Sequence, residues 1–193
     1  GVEIERMTPM NCAHALYSDI LDRMNVDIEY GRFCGVLEKW AKVYYVEDIL
    51  RTLLDDERIR EHLVVESVFN YGHRPVKLCG DANDRLAEEL LGMDSRKLAR
   101  TLIEGYENPQ WEGISDNRYL LEPLYNLLFT RDASSTIYDR VLINSMSFEV
   151  RERESLIYEA IFRHFFNVET LNAMAWDRDA RTEGGDVQIA SPD

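Results

Sequence analysis

The sequence is short of several things, and each shortage closes off a class of function. It has three cysteines (Cys12, Cys34, Cys79) in 193 residues, at unrelated spacings. An odd, unpatterned count makes neither a disulfide framework nor a Cys-x-x-Cys zinc site, and it points to a reducing, cytoplasmic setting. The four histidines (His14, His62, His73, His164) are scattered, with none in a His-Glu-x-x-His arrangement, so no metal is expected. Apolar runs are only a few residues long and the start, Gly1 to Arg6, is charged, which predicts neither a transmembrane span nor a signal peptide. Basic charge is scarce, 22 Lys and Arg against 36 Asp and Glu for a net charge of −14. No Lys/Arg cluster offsets that field, so neither nucleic acid nor membrane is an expected partner, and a cationic ligand is the easier guest.

What is present is ordinary for a folded protein. Hydrophobic residues make up 45% and aromatics 10%, so the acidity is not that of a disordered chain. Apolar spacing predicts helices over about 9–24, after the Thr8-Pro9 start, and from about Ile28 to Trp40 behind an Asp27 cap. Lys42 to Val46, β-branched and aromatic, reads as a strand. A charged helical stretch runs from Glu47 to about Val68, a break follows at Asn70 to Pro75, and short helices are expected over about 82–91 and 95–105, the second capped by Asp94 or Ser95. Beyond the polar loop from Asn108 to Asn117 the texture turns to short strand-like runs: Tyr119 to Leu121, Asn126 to Thr130, Thr136 to Tyr138 and Val141 to Ile143. A long helix over about 150–166, a polar loop and a terminal strand from Val187 to Ala190 complete the reading. The expected fold class is α/β, with 47–106 as a helical insert between pieces 1–46 and 107–193.

Generic site motifs fail on inspection. Asp81-Ala82-Asn83-Asp84 opens like a calcium loop but lacks the later glycine and glutamate. Asp177-Arg178-Asp179 reads as a solvated loop, and Gly184-Gly185 has neither the spacing nor the lysine of a phosphate loop. The cysteines read as small buried hydrophobes. More suggestive are polar residues in awkward places. Asn126 and Asp132 bracket the apolar run Leu127 to Arg131, which prefers burial and draws its flanking carboxylate out of bulk water, where it must be paired. Glu183 precedes two glycines, which allow another backbone or a ligand to approach closely. Taken singly, each of these is better accounted for by the plainer reading, pairing of Asp132 with a neighbouring arginine and a simple glycine turn.

Together, these pieces resemble the arginine deiminases. Glu122-Pro123-Leu124-Tyr125-Asn126-Leu127-Leu128-Phe129-Thr130-Arg131-Asp132 resembles that family's P-N-x-x-F-T-R-D motif, with Tyr125 where proline is usual. Arg151-Glu152-Arg153-Glu154 resembles its Arg-x-Arg-Glu, Glu183-Gly184-Gly185-Asp186 its E-G-G-D, and Thr8-Pro9-Met10-Asn11-Cys12 with Leu16 its T-P-x-N-C…L segment, all in the family's order. The resemblance implies a partial fivefold α/β propeller (pentein) with a helical insert. It implies hydrolysis of L-arginine to L-citrulline and ammonia through a Cys-linked thiouronium, without cofactor. By resemblance Asp132 and Glu183 are catalytic, Asp132 gripping the guanidinium and Glu183 orienting a histidine. Asn126 and Arg151 bind the α-carboxylate, and Leu16 lines the pocket near the substrate's stem. A forked planar cation suits carboxylates that accept paired N–H donors. The family's nucleophilic cysteine and catalytic histidine lie downstream of E-G-G-D and have no match here; His164 and Cys79 sit in no corresponding motif. The chain is therefore read as an N-terminal portion, inactive alone, whose partners are L-arginine, the rest of the same enzyme and, when complete, further copies of itself. The alternatives are another guanidine-modifying enzyme of the amidinotransferase kind and a non-catalytic arginine-binding protein.

Overall fold

A computed structural model describes residues 2–70, 82–113, 118–172, 175 and 180–191. His73, Cys79, Asp81 and the Asp177-Arg178-Asp179 run lie outside them. Mixed α/β architecture emerges from two kinds of local pattern. Helices come first: α1 (Arg23–Leu37), α2 (Val46–Leu53), α3 (Glu57–Val65, running on into a π turn at Glu66–Asn70), α4 (Ala82–Leu91) and α5 (Ser95–Glu104). In α2 the spacing of Ile49, Leu50 and Leu53 puts all three in the core, as three-and-four spacing demands. Asp56 starts α3 by accepting from the backbone N–H groups of Arg58 and Ile59 at 2.9 and 3.4 Å, and Asp94 starts α5 by accepting from Arg96 and Lys97 at 3.0 Å each, satisfying N–H groups that the helix leaves unpaired. Arg60 knits these helices, donating to the carbonyls of Leu54 at 2.9 Å and Met93 at 2.6 Å.

α5 ends at Gly105, whose φ of +82° suits glycine, and β1 (Tyr106–Glu107) pairs antiparallel with β2 (Tyr119–Leu121). A side chain at 105 would put its Cβ 2.7 Å from both the Leu121 carbonyl oxygen and the Pro123 nitrogen. Gly105→Ala is expected to lower stability by about 1 to 3 kcal/mol, read as a shift in urea midpoint; an unchanged midpoint contradicts the packing.

The second part holds the four-residue α6 (Thr130–Ala133), the β3–β4 hairpin (Ser134–Ile137, Arg140–Ile143), α7 (Glu149–Ala160, with a π turn at Ile161–Phe165) and β5 (Thr170–Asn172). β5 lies parallel to β4, with Leu142 opposite Leu171, so β4–α7–β5 is a crossover that lays α7 on a small three-stranded sheet. One hydrophobic core runs from Ile49 and Leu50 of α2 through Leu98 and Leu102 of α5 to Leu124, Met146, Leu156 and Ile157.

Six expectations need correction. Residues 9–16 form turns, not the start of a helix: the Asn11 side chain accepts from Thr8 N–H at 2.6 Å and donates to the Arg6 carbonyl at 3.2 Å and to Tyr125 Oη at 3.0 Å, bonds that compete with a helical ladder. The helix begins at Arg23 under an Asp22 cap, not behind Asp27. Lys42 to Tyr45 is irregular and Val46 already belongs to α2, so the expected strand has no ladder among the described residues. The 126–130 run turns at residues 125–128 instead of extending. At the end, Gly184–Asp186 makes one 3-10 turn and 187–190 is unladdered chain, while the strand at 170–172 arises where a polar loop was expected.

Candidate active site

The turn at 125–128 splits the apolar segment. Leu127 enters the core while Leu128 and Phe129 face outward, so burial of the whole run, expected from sequence, holds only at its start. Asn126 is buried and its side-chain amide donates to the Ala15 carbonyl at 2.9 Å. Tyr17 Oη likewise donates to the Tyr125 carbonyl at 3.1 Å. These bonds clamp the N-terminal turns onto the 125–126 turn, and between them sits Leu16 with a φ of +67°. A bulky residue in that region costs about 1 to 3 kcal/mol and persists only where surroundings enforce it, most often at functional sites.

Asp132, half-buried on α6, accepts from Arg151 Nη1 at 2.9 Å. Arg151, buried in the first turn of α7, presents its other edge to Glu154: Nε lies 3.2 Å from both carboxylate oxygens and Nη2 2.9 Å from Oε2. Nη2 also reaches the Asn126 carbonyl at 3.4 Å, and Phe129 lies under the guanidinium, 5.9 Å from ring centroid to Cζ. Asp132 is therefore paired to an arginine, though one 19 residues along and not an immediate neighbour. Asn144 steadies α6, donating to the Asp132 carbonyl at 2.8 Å and to Ser135 Oγ at 3.0 Å.

Glu183 is held beside this group by its own turn. Its N–H donates to Asp186 Oδ2 at 2.9 Å, and its Oε1 accepts from the Ser147 N–H at 3.1 Å. Gly184 lies so close to the Arg131 carbonyl that no side chain would fit, which is the close backbone approach that the glycine pair suggested. Leu16, Ala13 and His14 line one wall of a cavity of about 480 Å³ whose other wall is Ser147 to Val150. That volume is within the range of small-molecule sites.

The structure thus bonds Asp132, Asn126 and Arg151 directly, ties Leu16 to Asn126 through Ala15, and ties Glu183 to the Leu16 cavity through Ser147. Asp132 and Glu183 do not line that cavity; both act electrostatically on Glu154. Glu154 closes the Arg151-Glu152-Arg153-Glu154 motif, which assigned it no role. One signal lay in the sequence, since Arg151 and Glu154 are three apart on a helix, where side chains meet; the fold adds that Arg151, Arg153 and Glu154 are all buried. Among the described residues no group of three His, Cys, Asp or Glu is placed to hold a metal ion.

Burial opposes ionisation of Arg151 and Glu154 alike. For Arg151 the two carboxylates outweigh it and raise its pKa. Glu154 has one cation against the charges of Asp132 and Glu183, and is pushed up to about 7. Its folded pKa is above its unfolded value, so the folded state holds the proton more tightly; this contribution to stability is complete below about 4.5 and lost as pH rises through about 7. Urea midpoints should therefore fall between pH 5 and pH 8, and Glu154→Gln should flatten that fall. An equally steep fall in the variant assigns the titration elsewhere.

No helix among the described residues is long and apolar enough to cross a membrane. The sequence profile of the arginine deiminase family matches residues 14–193. The chain is 31% identical over 202 residues to an arginine deiminase of Pediococcus pentosaceus, 30% identical over 203 residues to one of Bacillus cereus and 27% identical over 207 residues to one of Levilactobacillus brevis. These alignments take in 98 to 99% of this chain but 48 to 50% of the relatives, so the chain spans about half the length of the curated relatives it matches. By a match that covers nearly its whole length, the chain belongs to the arginine deiminase family.

Proposed function

We propose that this chain carries half of the active site of an enzyme that hydrolyses L-arginine to L-citrulline and ammonia. The observation that carries the reading is Asp132, a half-buried carboxylate on a short helix already holding a guanidinium, that of Arg151, at 2.9 Å. The substrate's guanidinium takes that place, and Arg151, still anchored on Glu154, keeps its charge and with Asn126 receives the α-carboxylate. Leu16 packs on the aliphatic stem. A cysteine thiolate from the rest of the enzyme attacks the guanidinium carbon, ammonia leaves the tetrahedral adduct, and water releases citrulline from the thiouronium. Glu183 orients and charge-stabilises the histidine that moves the protons, as the acid of a triad does. No cofactor takes part. In this reading the fold is a partial pentein propeller, 1–46 with 107–193 forming its core and 47–106 the helical insert, in a cytoplasmic enzyme that is a homo-oligomer when complete.

The 193-residue chain alone should release no citrulline above a blank; turnover by it would show that the missing half is not needed. In the chain completed by that half, Asp132→Ala should weaken arginine binding about ten- to a hundredfold, the loss of one charged hydrogen bond. Unchanged affinity by titration calorimetry would leave the guanidinium grip without support.

A further inference from the structure

A second cavity, of about 410 Å³, opens beside α6 and shares no lining residue with the Leu16 cavity. Its charge is unexpected in a chain of net charge −14: the lining includes Arg131 and, among the described residues, no aspartate or glutamate. Arg131 donates from Nη2 to the Val187 carbonyl at 3.0 Å. Its other N–H donors have neither an acceptor nor an ion-pair partner among the described residues. Thr130 and Thr136, on the same lining, make no hydroxyl hydrogen bond among those residues either. Ser134 and Ser135 already give their hydroxyl protons to the carbonyls of Thr130 at 3.0 Å and Arg131 at 3.3 Å, so the unspent donors are those of Arg131 and the two threonines. Tyr158 spends its hydroxyl on the Leu127 carbonyl at 2.9 Å and, with Phe162, Val187 and Ile189, gives the cavity an apolar wall. Donors without acceptors call for a group that only accepts, and a carboxylate takes the parallel bonds of an arginine fork. The apolar wall calls for a hydrocarbon body behind that group.

We propose that this cavity binds a small organic carboxylate, its carboxylate held by Arg131, Thr130 and Thr136 and its hydrocarbon body lying on Phe162, Val187 and Ile189. The site takes no part in the proposed chemistry but adjoins both segments that serve it. Arg131 directly precedes Asp132 on α6, and its carbonyl is the group on which Gly184 packs. A carboxylate that fixes the Arg131 guanidinium also fixes its bond to Val187, and so holds residues 183–187 on α6. The test reads binding by this chain, so it stands or falls independently of arginine turnover.

Benzoate is the probe, titrated into the chain by calorimetry, with amide exchange to locate it. Saturable binding at a single class of site is expected, with exchange slowed at residues 134–136 and 187–189. Arg131→Gln should weaken that binding about ten- to a hundredfold, the loss of a charged hydrogen bond, and Thr136→Val about three- to tenfold, the loss of a neutral one. Because Arg131→Gln also removes the bond to Val187, Ile189→Asp is the second variant. Ile189 is half exposed in unladdered chain, so the change should leave the circular dichroism as it was while setting an anion against the ligand, with a loss of about tenfold or more. No saturable binding, protection confined to other residues, or variants that bind as well as the original would overturn the proposal. So would inorganic phosphate binding more tightly than benzoate, since the apolar wall would then contribute nothing.

Discussion

Glu154→Ala is expected to cost the fold about 3 to 5 kcal/mol, the range for removing one partner of a buried ion pair. Glu154 is fully buried and accepts from two nitrogens of Arg151, itself buried. Removal leaves Nε and Nη2 of Arg151 with only the distant Asn126 carbonyl and Asp132 on the far edge, and a buried cation without its principal partner drives the loss. Gln at 154 keeps the volume and one acceptor oxygen and should recover part of the stability. The double replacement Glu154→Leu with Arg151→Met should lose less than either single change, since a buried pair exchanged for apolar side chains of similar volume is often near neutral. Urea unfolding of these variants, the two single changes included, beside the original chain makes the test. If Glu154→Ala costs less than about 1 kcal/mol, the pair is solvated and its proposed role in holding Arg151 falls with it.

Gly184→Ala should be nearly as damaging, and locally. A Cβ there would overlap the Arg131 carbonyl oxygen and lie 2.6 Å from its carbonyl carbon. These are backbone atoms at the start of α6, the element that carries Asp132, so no side chain can swing aside. Overpacking costs about 1 to 3 kcal/mol where neighbours yield, and the cheaper response here is for residues 183–187 to lift away. That breaks the bond from Arg131 Nη2 to the Val187 carbonyl, 3.0 Å, and withdraws Glu183 Oε1 from Ser147. Expected results are a loss of about 3 kcal/mol and fast amide exchange at Ser147. Gly185→Ala, with nothing within 4 Å of its Cβ position, is the control and should be nearly silent. If the two alanine variants behave alike, Glu183 is not held through its glycine.

Much of the helical part was legible because its instructions are local. Asp94 and Gly105 mark the two ends of α5 by side-chain and backbone chemistry within one turn, and the Leu86 to Leu90 spacing predicts α4. Strands β2, β3 and β4 follow from short β-branched or aromatic runs, and their partners are near in sequence or already in place. The failures share a cause. Whether 9–16 becomes helix depends on Asn11 reaching Tyr125, 114 residues away. Thr170 to Asn172 becomes a strand because β4 offers it an edge, while 42–46 and 187–190, better strand sequences, find none among the described residues.

By itself the sequence determined the family, the absence of a metal motif and the identities of Asn126, Asp132, Arg151, Glu183 and Leu16 as the residues to watch, because ordered motifs and residue chemistry survive without coordinates. Only the tertiary structure decided that Asp132 and Arg151 hold each other, that Glu154 is the buried acid anchoring the pair, and that Gly184 sits on the Arg131 backbone. The reason is physical: a charge's partner, its burial and the space over an α-carbon depend on which distant segments pack together, and that is a property of the folded chain as a whole.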